Sequence, residues 1–158
     1  MVKNILGVIV GYIVMFVFVF ITFGLAFMIL GTEGSFKPGS YDVSGIWIVI
    51  SIILGFIAAV LGGLVCTMIS KNIKATMVLA AVVLVLGVAM AVPTLSDSGA
   101  ADTQRAADVP MMEAMQKADQ PSWLAFLNPI LGAIGTMVGG RLRKPASPTA
   151  GAPAAPAG

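Results

Sequence analysis

The residues best suited to chemistry in this chain are few, and most fall in one stretch. Met111, Met112 and Met115 place three thioethers within five residues, and thioether sulfur is a soft donor that favours Cu(I). Asp97, Asp102, Asp108 and Glu113 add carboxylates to the same stretch. They are the candidates for general acid or base work, but no spacing sets two of them around a substrate. The sequence has no histidine, which removes the commonest general base and the usual metal ligand. A single cysteine, Cys66, rules out an intramolecular disulfide, a CxxC redox pair and a multi-thiolate site. No phosphate-cradling glycine loop, nucleophile elbow or zinc signature occurs. Methionine is also a flexible apolar filler, and an interfacial helix needs an apolar face. The residues therefore predict a protein that is not an enzyme and holds neither cofactor nor metal.

The elements that must carry these residues are set by composition. Of the 158 residues, 58% are hydrophobic and only 10% charged, and the mean hydropathy is +1.00. A soluble domain carries roughly 25% charged residues, so the chain belongs in a membrane. Four stretches are long enough for the roughly 20 apolar residues that a crossing needs: about 5–30, 46–69, 75–95 and 123–140. The first holds 18 Ile, Leu, Val or Phe residues and is favoured by about 5 to 10 kcal/mol on the insertion scale. The last holds seven, with Asn128, Pro129 and four glycines, and must lean on its neighbours. Lys3 before an apolar run also resembles a signal peptide, but the run exceeds a 7 to 15 residue h-region, so it reads as a retained span.

Orientation follows from the loops. Four spans put Lys3, Lys71, Lys74, Arg141, Arg143 and Lys144 on one side with no acid. The other side receives Lys37, Arg105 and Lys117 with all seven acids: Glu33, Asp42, Asp97, Asp102, Asp108, Glu113 and Asp119. The positive-inside rule then predicts both termini in the cytoplasm. Trp47 and Trp123 fall at the outer ends of the second and fourth spans, at the depth where an amphipathic ring is favoured.

Lipid tails are as apolar as leucine, so helices in a membrane associate by close backbone approach. Small residues provide it: Gly7 and Gly11 on the first span, Gly55, Ala59, Gly62, Gly63 and Cys66 on the second, Gly87 and Ala91 on the third, and Gly132, Gly135 and Gly139 on the fourth. The expected fold is an all-α membrane protein, an antiparallel four-helix transmembrane bundle, with a short interfacial helix in the second outer loop. Phe16, Phe20, Phe23 and Phe27 form a ridge at spacings of 4, 3 and 4, facing either a groove or lipid. Residues 53–63 match 130–140 at six of eleven positions when shifted by 77, from a duplication or from similar packing demands.

No ionisable residue lies inside a span, and such residues mark proton and ion paths. The polar groups that remain there include Ser51, Thr67, Thr76, Asn128 and Thr136. Interhelical hydrogen bonds are their simplest use, and Ser51, Asn128 and Thr136 are the possible lining of a path. Pro129 frees a carbonyl one turn earlier and predicts a kink. In the first outer loop Asp42 or Ser44 can cap the next helix. In the second, Pro110 at a helix start would set Met111, Met112 and Met115 on one face. Residues 145–158, rich in Pro and Ala, predict a disordered cytoplasmic tail.

Several segments carry a resemblance: Gly11-Tyr12-Ile13-Val14-Met15-Phe16, the loop Lys37-Pro38-Gly39-Ser40-Tyr41-Asp42-Val43-Ser44-Gly45 leading to Trp47, Gly62-Gly63 with Cys66, and Pro121-Ser122-Trp123 through Gly139-Gly140-Arg141-Leu142. Over about residues 1–143 the chain resembles a family of small uncharacterised bacterial four-span integral membrane proteins. The resemblance implies a bacterial plasma membrane and brings no activity. The functional expectation is a non-enzymatic accessory or scaffold subunit acting through helix packing. Its partners would be the lipid bilayer and either further copies of itself or other membrane proteins, with no nucleic acid. The alternative is a passive channel or small-solute carrier formed by an oligomer.

Overall fold

A computed structural model describes residues 2–95 and 109–142. The tail at 145–158 lies outside them, as do Arg105, Arg143, Lys144, Asp97, Asp102 and Asp108. The described chain forms α1 (Val2–Ser35), α2 (Gly45–Ser70), α3 (Ile73–Ala91), α4 (Met111–Lys117) and α5 (Ser122–Leu142), with a 3-10 turn at Val92–Leu95. The four long helices are each long and apolar enough to cross a membrane. The protein is an all-α, multi-pass bundle, and its spans fall within a few residues of those expected.

Local chemistry explains the differences at the ends. α1 extends beyond residue 30, but Gly31 adopts φ 65°, ψ −178° inside it. Glycine reaches this region because it lacks a Cβ, so the chain turns there and makes one more helical turn at 32–35. α3 ends at Ala91, ahead of the expected 95, since Pro93 has no N–H for the next helical bond and the chain tightens into the 3-10 turn. Between the two available caps for α2, Ser44 is the one used. Its Oγ accepts the Trp47 N–H at 3.1 Å and donates to the Gly34 carbonyl at 2.6 Å. One hydroxyl thus starts α2 and ties it to the end of α1. At the other end Lys71 takes φ 53° and Asn72 Oδ1 accepts the Lys74 N–H at 3.0 Å, which reverses the chain into α3 in two residues. α5 continues as helix through Pro129.

α2 is the axis of the bundle, with α1 and α5 packed on it and α3 completing the group. Its small residues form two faces. On one, a Cβ added to Gly7 would lie 2.8 Å from the Cys66 carbonyl oxygen, and one added to Gly11 would lie 2.8 Å from that of Gly62. On the other, a Cβ on Gly63 would strike the Thr136 carbonyl, one on Gly139 that of Val60, and one on Gly135 would come 2.8 Å from Ala59 Cβ. Gly62 and Gly63 are neighbours, about 100° apart around a helix of 3.6 residues per turn, so the pair serves both crossings at one level. The third seam joins α3 to α5: the Pro129 ring lies where Gly87 would carry a Cβ, and a Cβ added to Gly132 would lie 3.0 Å from Val83 Cγ1. The matched stretches 53–63 and 130–140 run parallel against each other along the second crossing. Only part of the shared spacing serves that contact: Gly63 and Gly139 face it, whereas Gly62 faces α1 and Gly132 faces Val83 of α3.

Gly55 departs from this pattern. It was expected to pack, yet among the described residues a Cβ there would meet nothing within 4 Å.

Candidate functional site

The helices sort the described charges to opposite ends. Lys3, Lys71, Lys74 and Arg141 lie exposed at the base, while Glu33, Lys37, Asp42, Glu113, Lys117 and Asp119 lie at the cap, following the chain reversals between helices. At the base, among helices separated by little more than backbone, Thr67 and Thr76 share a hydrogen bond of 2.6 Å between buried hydroxyls. It links α2 to α3 beside Gly140, whose added Cβ would lie 3.0 Å from Thr67 Oγ1. Cys66 is fully buried against Leu79 and Ala75, as a small packing residue.

Two of the three residues proposed to line a path have their hydroxyls committed within their own helices. Thr136 is 0% exposed and donates to the Gly132 carbonyl at 2.8 Å. Ser51 is buried and donates to the Ile48 carbonyl at 2.8 Å. Both hydroxyls return to their own helices, and Asn128 is half-buried on α5.

The cap is built differently. Here the two loops dock on each other, a contact with no signal in the sequence because its partners lie far apart in the chain. The Val43 N–H donates to the Asp119 carbonyl at 3.1 Å and the Asp119 N–H to the Tyr41 carbonyl at 2.9 Å. Phe36, Tyr41, Val43, Val109 and Ala114 form a buried cluster under this junction. Tyr41 Oη donates to Glu113 Oε1 at 2.7 Å, Lys117 Nζ donates to the same oxygen at 3.0 Å, and Lys117 Nζ lies 5.3 Å from the Tyr41 ring centroid. Those two donors, the phenol first, hold the Glu113 carboxyl below its ordinary range. The same carboxylate pushes the Tyr41 phenol and the Lys117 ammonium upward. α4 is therefore tethered to the first loop by a polar triad as well as by apolar contact.

Beneath α4 lies a groove of about 250 Å³. One wall is α1, from Phe16 and Phe20 through Phe23 to Gly24 and Phe27; the other is Met111, Ala114 and Met115 of α4, and Trp47 and Gln120 also line it. The phenylalanine ridge divides along its length. Phe23 and Phe27 meet Trp47 edge to face, with ring centroids 5.8 and 6.3 Å apart. Phe16 and Phe20 are 64% and 58% exposed. All four rings line the groove, Phe16 and Phe20 from its more exposed part.

One further expectation changes. Met111 and Met115 face the groove, while Met112 points away at 68% exposed, so the three thioethers do not converge as a Cu(I) site requires. Consecutive residues stand about 100° apart on a helix, which separates Met111 from Met112. Of the two tryptophans expected as interfacial anchors, Trp123 is 57% exposed, whereas Trp47 is half-buried as a wall of the groove. The groove was partly legible in the phenylalanine spacing; the part played by Trp47 and α4 was not.

No protein family, curated protein or solved structure matches the chain. The site is therefore read from its own geometry.

Proposed function

We propose that the chain is a non-enzymatic accessory or scaffold subunit of a bacterial plasma membrane, with both termini cytoplasmic, acting through helix packing. The observation carrying this reading is the set of backbone-close crossings at Gly7, Gly11, Gly62, Gly63, Gly135 and Gly139. They make the spans a rigid body that can hold a partner surface in fixed register. The same crossings alter how self-association would work. These glycines are covered within one chain, so a second copy has to use another face, and among the described residues Gly55 on α2 is the predicted packing residue left open. The passive-channel alternative has less behind it, since the Ser51 and Thr136 hydroxyls are turned to their own helices.

Gentle solubilisation from the native membrane, followed by sizing and crosslinking, tests the proposal. A larger particle or a stoichiometric membrane partner is expected. A strictly monomeric particle with nothing co-purifying would overturn it. Reconstituted vesicles should show no solute flux above protein-free vesicles, and flux abolished by Asn128→Leu would establish the channel instead.

A further inference from the structure

We infer that the groove between α1 and α4 is a binding site for one acyl chain of a bilayer phospholipid, with the headgroup end at Gln120. Four observations converge on this occupant. The first is length. From Phe16 to Phe27 is eleven residues, about 16 Å of helix at 1.5 Å per residue, which is half of a hydrocarbon core about 30 Å thick. The groove is thus one leaflet deep. The second is volume: about 250 Å³ is room for a run of several methylenes, each close in size to a water molecule.

The third observation is lining chemistry. The walls are mostly aromatic rings and methionine, no charged side chain among the described residues lines the groove, and Gln120 contributes a polar group to the lining. A hydrocarbon chain suits the walls, and the carboxamide can hydrogen-bond an ester or phosphate oxygen. The fourth is continuity. The groove runs out along Phe16 and Phe20, whose exposed rings belong to a span that lipid surrounds, so a chain reaches it sideways without leaving the membrane. Methionine adapts to irregular apolar shapes, which lets Met111 and Met115 close over chains that differ in unsaturation.

Moving a chain from bulk lipid into the groove removes no apolar surface from water, so there is no hydrophobic gain. Preference has to come from ring contacts and from Gln120. The inference does not depend on whether the chain is a subunit of a larger assembly.

The test uses two single-tryptophan variants of the full chain. Trp123→Phe leaves Trp47 in the groove, and Trp47→Phe leaves Trp123 exposed on α5. Each is purified in a non-ionic detergent and titrated with dibromostearoyl phosphatidylcholine, whose bromines quench indole fluorescence on contact. Trp47 should reach half-quenching at about a tenfold lower lipid fraction than Trp123, equivalent to about 1.4 kcal/mol of preference. Native mass spectrometry of the unsubstituted chain should show one retained phospholipid. Adding Gly24→Leu, whose side chain would fill the groove from α1, should bring the two quenching curves together. At Gly24 a Cβ meets only the Met111 methyl, at 3.2 Å, so the bundle should tolerate it. Ala118→Leu fills the groove from the opposite side as a second block. Parallel quenching of both tryptophans, or Trp47 curves unmoved by either block, would overturn the inference. So would Trp47 emission that follows the protein-to-detergent ratio and ignores lipid, which would place a second copy of the chain in the groove.

Discussion

At the base of the bundle the helices meet backbone to backbone, and at the cap they meet through rings and thioethers. The Gly7–Gly11 stretch of α1 lies against carbonyls of α2, whereas one turn after another toward the cap the same helix presents Phe16, Phe20, Phe23 and Phe27 to a partly empty groove. Close backbone approach maximises dispersion contact and permits Cα–H···O bonds, but leaves no room for adjustment. Long flexible side chains pack less completely and can move apart for a ligand. The same apolar alphabet thus gives a rigid half and an adaptable half, and the difference lies in side-chain size at the contact.

The largest test of that contrast is steric. Gly63→Leu or Gly139→Leu drives a side chain into the backbone of the facing helix, and should cost about 3 kcal/mol or more because backbone cannot yield as a rotamer can. The same change at Gly24 in the cap half meets a methionine methyl and should cost under about 1 kcal/mol. Reversible unfolding in mixed detergent micelles measures both. Equal losses at Gly63 and Gly24 would remove the distinction between the halves.

The two halves were also unequally legible in the sequence. Spans, order and the glycine crossings followed from hydropathy and from small residues four apart, because each signal is local to one helix. Gly55 shows the limit of such a signal, since spacing says that a residue can pack but not which neighbour arrives. The cap was hidden for a related reason. Tyr41 and Glu113 are 72 residues apart, and nothing near either one announces the other. Trp47 reads as an interfacial anchor by its position at a helix end, and only the arrival of α1 and α4 makes it the wall of a groove.

A smaller effect is expected from the Thr67–Thr76 pair. Interhelical hydrogen bonds in membranes contribute about 0.6 kcal/mol on average, and a double-mutant cycle with Thr67→Val and Thr76→Val should return a coupling near that value. A coupling of zero would mean that the base is held by packing alone.

The polar triad of the cap predicts a local pH dependence. Glu113 has a folded pKa below its ordinary value, so its contribution is present above the usual carboxyl range, near pH 4, and is lost as pH falls through the depressed value. Lys117 and Tyr41 have folded pKa values above the ordinary ones. Their contributions are complete below about pH 10 and are lost as pH rises through the raised values. The tether of α4 should therefore be constant across the middle of the scale and loosen at both extremes. Hydrogen exchange in Met111–Lys117, corrected for the intrinsic pH dependence of exchange, should show this while the base half is unchanged. Glu113→Gln should raise α4 exchange at pH 7 and flatten the acid limb. An acid limb retained in that variant would assign the loosening to another group.

Gly55→Ala should cost the bundle nothing and still be informative. No atom of the described residues lies within 4 Å of where the new methyl would sit, so their packing loses no contact, and alanine is the better helix former. The isolated chain should keep its stability or gain up to about 1 kcal/mol. If a second copy or a partner helix packs on the open notch, the methyl will separate the two backbones, and Gly55→Leu will separate them further. A graded loss of the larger particle, with no loss of stability in the single chain, would locate the contact at Gly55. An unchanged particle in both variants would put it elsewhere, leaving the exposed length of α1 as the next face to substitute.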